Sequence, residues 1–253
     1  MTAAYLDAHV HLTDPAFDSD REGVLERAAD NGVTGFVLAG TDPADWRRQR
    51  ELARPGWRLA FGFHPWWAAA ADDAARDLAL AELGRDVPRA SAVGEIGLDH
   101  APRMDSAARA RQCTAFVAQL ALAKAHAKPI VLHVVRAHAE VLALLAAHGA
   151  RWSGLVHGFN AGSDIGARYL ALGLDLSLGA AAIAPGRRLA RALDELPRDR
   201  FAIESDAPSG LPEPARVWDI ARALGARWGD LPERVLERAS ARVRDTFGEG
   251  WAR

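Results

Sequence analysis

The chain alternates between short apolar runs and longer stretches where apolar residues recur every three or four positions. The first pattern reads as buried strands and the second as helices. Runs at about 4–12, 35–40 (GFVLAG), 57–64 (WRLAFGFH), 91–99 (SAVGEIGLD), 129–135 (PIVLHVV), 155–159, 174–178 and 201–206 (FAIESD) predict eight strands. Helical sequence fills the gaps, at about 19–31, from 43 or 45, at 105–127 and at 138–148, and two helices at 214–228 and 232–247 close the chain. Gly32 and Gly149 supply stop signals. Phe116, Leu120 and Ala123 fall on one face of the long helix. The alanine-rich run at 68–81 reads as one further helix, because alanine is the best helix former. Eight strands alternating with helices, without a linker-like gap, predict a (β/α)8 TIM barrel forming a single domain over 1–253. An open doubly wound sheet is the alternative, but no G-x-G-x-x-G follows the first strand and no P-loop is present.

Polar residues inside the apolar runs are few. In Asp7-Ala8-His9-Val10-His11-Leu12, strict alternation puts Asp7, His9 and His11 on one face and Ala8, Val10 and Leu12 on the other. The others are His64, Glu95, Asp99, His133, His157, Glu204 and Asp206, each near the carboxyl end of its run. Alternation groups Glu95 with Val93, His133 with Val131, His157 with Leu155, and Asp206 with Glu204 and Ala202. In a barrel that end carries the active site, where residues from several strands converge. His9, His11, His133 and His157 with Glu95 and Asp206 suit two divalent ions such as zinc or manganese. Such a pair needs a shared anionic ligand. Lys124 lies on a helix and Lys128 at the amino end of a strand, so a carbamylated lysine is excluded and Glu95 is the bridge. Paired metals point to hydrolysis, with Asp206 both a ligand and a proton acceptor for the attacking water. With that set complete, Asp7 and Glu204 are expected to support the ligands from behind.

Composition narrows the setting. The 253 residues are 49% hydrophobic and 25% charged, as in an ordinary globular protein. No apolar run is long enough to cross a bilayer and the amino terminus is unlike a signal peptide, so a cytoplasmic protein without membrane association is expected. A lone cysteine, Cys113, excludes intrachain disulfides and thiolate clusters. A net charge of −2 argues against wrapping long duplex DNA, yet is compatible with a pocket for one phosphate or a strand end.

Taken in order, Asp-x-His-x-His-Leu (7–12), Gly-x-His-Pro (62–65), Gly-Glu-Ile-Gly-Leu-Asp (94–99), Leu-His (132–133), His-x-Phe (157–159) and Glu-Ser-Asp-Ala-Pro (204–208) resemble the TatD family of metal-dependent deoxyribonucleases, of the amidohydrolase-like superfamily. Gln112, Phe116 and Gln119 extend the match. The resemblance implies hydrolysis of DNA phosphodiesters at a single-stranded or 3′ end by two divalent ions, zinc, manganese, magnesium or cobalt. It assigns His9, His11 and Asp206 to one ion, His133 and His157 to the other, and Glu95 to both. His64, and Arg136 with His138, are expected to meet the substrate phosphate; no obligate protein partner is implied. The chain departs from the family where an arginine often follows the strand-five histidine by two residues: here Val135 stands there, with Arg136 displaced by one. Segment 209–214 and Ala161 also differ. The alternatives are therefore a superfamily hydrolase of a small ester, lactone or amide, and a metal-binding protein that no longer catalyses.

Overall fold

A computed structural model describes residues 4–149 and 151–248. Its elements run β1 (Tyr5–Val10), α1 (Arg21–Asp30), β2 (Val33–Ala39), α2 (Pro43–Leu52), β3 (Arg58–Phe61), α3 (Pro65–Ala70), α4 (Asp73–Asp86), β4 (Ala92–Asp99), α5 (Ser106–Ala125), β5 (Ile130–Val135), α6 (His138–His148), β6 (Gly154–Val156), α7 (Ser163–Ala171), β7 (Asp175–Leu178), α8 (Arg187–Glu195), β8 (Phe201–Ile203), α9 (Val217–Trp228) and α10 (Pro232–Phe247). All eight strands form one sheet in the order β1 to β8, each parallel to the next. Two backbone hydrogen bonds join its edges: the Asp206 amide donates to the His9 carbonyl and the His11 amide to that of Ala207, both at 2.9 Å. The result is the (β/α)8 barrel, and the open-sheet alternative falls away. No helix among the described residues is long and apolar enough to cross a membrane.

The 68–81 segment is not one helix. α3 ends at Ala70 and α4 starts at Asp73, with Asp72 between them accepting a hydrogen bond from the Ala75 amide. Alanine propensity hid this break, although Asp72 is of the residue type that caps a helix start.

Inside the barrel a narrow layer of Leu6, Ala8, Val37, Ala60, Ala92, Val131, Leu155 and Ala202 packs together, and Val243 and Phe247 of α10 join it from below. A larger apolar shell between strands and helices holds residues of the outer face, among them Val10, Phe36, Leu38, Val93, Ile96, Leu132, Val156 and Ile203.

Register shifts break simple alternation in β1, β2 and β4, and those in β1 and β4 bear on the site. Asp7 pairs with Phe36 and Val10 with Leu38, so Ala8 and His9 together stand opposite Val37. Val93 pairs with Ile130 and Ile96 with Leu132, so Gly94 and Glu95 stand opposite Val131. Each is a bulge, where an extra residue reverses the parity of the chain beyond it. The expected faces of β1 and β4 are corrected accordingly. Asp7 does not share the histidines' face but lies on the outer side with Phe36, while Ala8 joins His9 inside; Val93 points outward, away from Glu95. Gly94 is required here: a Cβ on it would lie 2.6 Å from that of Val131.

Candidate metal centre

The bulge in β1 turns both His9 and His11 into the mouth of the barrel. Their Nε2 atoms are 3.2 Å apart. Glu95 Oε2 lies 3.4 Å from His9 Nε2 and 3.6 Å from His11 Nε2, and Asp206 Oδ1 lies 3.7 and 3.5 Å from the same two atoms. Asp206 reaches in from a left-handed backbone conformation, φ 49°. Donors held about 2.0–2.2 Å from a tetrahedral ion would stand about 3.3–3.6 Å apart, so this set fits an ion of zinc's size.

A second set gathers on the other carboxylate oxygen. Glu95 Oε1 is 2.7 Å from His133 Nδ1 and 2.8 Å from His157 Nε2, and these nitrogens are 3.1 Å apart. The spacing is tighter, at hydrogen-bond length, but the donor chemistry is the same. His64 Nε2 lies 3.2 Å from His133 Nδ1 and 3.5 Å from Glu95 Oε1. Among the described residues, three overlapping groups could hold a metal: His9, His11 and Asp206; His9, Glu95 and His157; and His64, Glu95 and His133.

What lies behind each ring distinguishes the histidines. His11 Nδ1 is 3.2 Å from the Ala39 carbonyl, His157 Nδ1 is 3.3 Å from Glu204 Oε1, and His133 Nε2 is 3.4 Å from Asp99 Oδ2. In His11 and His157 the outer nitrogen is hydrogen-bonded to that oxygen and keeps its proton there, which leaves the inner nitrogen as a lone-pair donor; the His133 contact with Asp99 is at ion-pair distance without a hydrogen bond. His64 is reversed. Its Nδ1 accepts the Trp66 amide at the start of α3, so the neutral ring carries its proton on Nε2, facing the centre.

The electrostatics have one sign at their heart. Burial raises the Glu95 carboxyl, but the charged His157 beside it and a hydrogen bond from His133 outweigh it and hold it well below the usual range. Burial likewise works against charge on His157, yet Glu95 and Glu204 lift it well above its ordinary value. His64 is pushed down to about 3, by burial first, so it is neutral. Asp206 is raised by burial but lowered overall through His11, His9 and His157, so it is ionised. Asp7 differs: burial pushes it up to about 7 against hydrogen bonds from Ser205 and the His9 amide. Its Oδ1 accepts from the His9 and Ser205 amides at 3.2 and 2.9 Å and its Oδ2 accepts the Ser205 hydroxyl at 2.5 Å, so it clamps β1 to the β8 end and touches no imidazole.

A cavity of about 540 Å³ opens over the cluster. His11, His64, Glu95, His133, His157 and Asp206 form its floor, Trp66 and Trp67 one wall, and Asp14, Asp42, Asp45 and Arg48 the β1–β2 side. Arg136 is exposed and lines a neighbouring cavity instead, so the structure does not bring it to the cluster. Lys124 and Lys128 bind backbone carbonyls of His148 and of Pro88 and Ala90, far from the barrel mouth.

The family model described as TatD related DNase matches residues 6–248, nearly the whole described chain. The chain belongs to the TatD family. It is thus a member of a family of metal-dependent hydrolases, as its clustered His, Glu and Asp donors accord with. The metal-dependent hydrolase TatD of Mycobacterium tuberculosis is 34% identical, covering 98% of this chain and 99% of its own. A protein of Pantoea vagans named 3′-5′ ssDNA/RNA exonuclease TatD is 35% identical, covering 95% and 98%. Among solved structures the Escherichia coli K12 TatD homologue YjjV superposes with a TM-score of 0.84 at 26% identity, covering 98% and 99%.

For this TatD-family chain, several supports were not assigned from the sequence. Gln119 accepts from the Phe63 amide at 2.8 Å and donates to its carbonyl at 3.2 Å, fixing the residue before His64; Gln112 accepts the Asp99 amide at 2.9 Å. Two buried glutamines seven positions apart on an otherwise apolar helix face were the available signal. Trp66 is half exposed, donates its indole N–H to Asp99 and stacks under Arg103 at 4.4 Å. Arg48 carries no marker in the sequence.

Proposed function

We propose that this protein is a two-metal phosphodiesterase that acts on the end of single-stranded DNA. The observation that carries the reading is Glu95: its two oxygens face two separate donor sets, His9, His11 and Asp206 on one side and His133 and His157 on the other. Divalent ions there, of zinc, manganese, magnesium or cobalt, would activate water and polarise the phosphate. The chain's own residues do the rest. Ionised Asp206, partly open to the cavity, accepts the proton of the attacking water. His64 is a hydrogen-bond donor rather than a ligand, since its Nδ1 is taken by the Trp66 amide; its Nε2–H faces a phosphate or leaving oxygen. Asp99, Glu204 and the Ala39 carbonyl orient the ligating rings. The exonuclease name of the Pantoea vagans relative supports a nucleic-acid end as substrate.

The test is metal-dependent release of mononucleotides from an end-labelled single-stranded oligonucleotide, run beside a panel of small esters, lactones and amides. Turnover of the oligonucleotide, abolished in Asp206→Asn, is expected. Turnover confined to the small-molecule panel would replace this reading with that of a small-molecule hydrolase.

A further inference from the structure

The acidic β1–β2 wall of the main cavity is a poor path for a polyanion. Across the barrel mouth, over β5 to β7, the charge is reversed. A cavity of about 550 Å³ there is lined by Arg136, Arg188 and Arg191, with Asn160 and Ser163, and a contiguous one adds Arg187. Arg191 is already paired with Glu195 at 2.6 Å, and Asp164 lines the same cavity. Among the described residues no carboxylate lies within ion-pair distance of Arg136, Arg187 or Arg188.

Three further features make the cleft electropositive at a cost to the fold. α6, α7 and α8 all begin at its wall, and none has a side-chain cap on its first amides. Arg187 and Arg188 occupy the first turn of α8, which has no acidic residue, so two cations sit at the positive end of a helix dipole. Arg136 is held in the left-handed region, φ 55°, unusual for arginine. Arg136 follows His133, and Asn160 follows His157, by three residues, at most about 11 Å of chain. The cleft therefore adjoins the cluster.

We infer that this cleft is a second phosphate subsite, in which Arg136, Arg187 and Arg188 hold the backbone phosphates of the nucleotides next to the scissile bond. The inference rests on the nucleic-acid reading above and deepens it: the substrate is a strand of several nucleotides that runs from the metal centre over β5–β7, leaving its terminal nucleoside toward Trp66. The displaced arginine after the strand-five histidine is thereby given a role in this chain, one nucleotide away from the chemistry.

The test compares wild type with Arg187→Ala/Arg188→Ala, both exposed positions, and with Arg136→Asn, which tolerates the left-handed backbone. Two readouts are taken: the ratio of kcat/KM on a thymidine octamer to that on bis(4-nitrophenyl) phosphate, and metal-free binding of the labelled octamer to the full chain by anisotropy. The double variant is expected to lower the ratio about tenfold through KM, to weaken octamer binding, and to flatten the salt dependence of binding by about 1.4 in slope, at about 0.7 per phosphate contact. An unchanged ratio and slope while wild type degrades the octamer would overturn the subsite and leave the nuclease reading standing. Weakened binding in the variants with no octamer hydrolysis by wild type would support the subsite and overturn the nuclease reading. Wild type that does not bind the octamer at all overturns the subsite.

Discussion

The two ends of the barrel are built from the same inward-facing positions of the same strands, yet they answer to different demands. At the amino end Leu6, Ala60, Ala92, Val131, Leu155 and Ala202 are closed off by Val243 and Phe247, and the one buried acid in register with them, Asp175 beside Leu155, is paired with Arg200 and accepts the Thr246 hydroxyl. At the carboxyl end the next inward positions of five of those strands are His9, Glu95, His133, His157 and Glu204, all buried or nearly so. Burying that many ionisable groups costs stability unless each has a partner. The apolar end supplies the rigidity against which the polar end is held, and the two bulges in β1 and β4 mark the change from one regime to the other. Substitutions should therefore separate cleanly: activity without stability at one end, stability without activity at the other.

The largest expected effect tests the polar end. Glu95→Gln keeps the shape but weakens the carboxylate shared between the two donor sets, and should lower kcat/KM on an oligonucleotide at least about a thousandfold. Its far-ultraviolet dichroism should stay that of wild type. Near-wild-type turnover would remove Glu95 from the chemistry. At the apolar end, Phe247→Ala should cost about 3 kcal/mol in denaturant unfolding. Metal content and kcat per folded molecule should be unchanged; a proportionate fall in kcat would mean that the two ends are not separable.

Smaller effects sharpen the boundary. Glu204→Gln weakens the oxygen behind His157 and should reduce metal affinity about 10- to 100-fold, read by competition with a fluorescent chelator. Asp7→Asn should leave metal content intact, because Asp7 meets backbone amides and Ser205 rather than an imidazole. Its consequence is in pH. Asp7 is raised from 3.8 to about 7 in the folded protein, so its contribution to stability is full below pH 4 and is lost as pH rises through 7. Metal-free wild type should lose stability over that range relative to Asp7→Asn, measured by urea midpoints. A parallel pair of profiles would contradict the burial of an ionisable Asp7.

Most of this division was legible in the sequence, because strands betray themselves by apolar runs and the odd polar residue at each carboxyl end has few structural uses. His133, His157 and Asp206 fall on the faces that alternation gave them. Asp7 and Glu95 do not, since a bulge is defined by the strand opposite, and a single strand's pattern carries no record of it. Gly94 was the one hint, a glycine inside an apolar strand. The break at Ala71–Asp72 was hidden by alanine, although Asp72 was a visible cap. The sequence places His64 at the end of a strand and at the substrate phosphate, whereas the structure makes it the cap of a helix that starts at Pro65, and capping by Nδ1 decides which nitrogen faces the site. Arg136, with His138, is expected at the substrate phosphate; it has a left-handed backbone and, like His138, lines the neighbouring cleft.

The measurement that bears most directly on the centre is an anomalous-scattering map from crystals of this protein soaked in manganese. Two peaks flanking Glu95 are expected, one against Oε2, His9, His11 and Asp206 and one against Oε1, His133 and His157, with His64 Nε2 outside coordination distance. A single peak, or a second ion coordinated by His64, would contradict it.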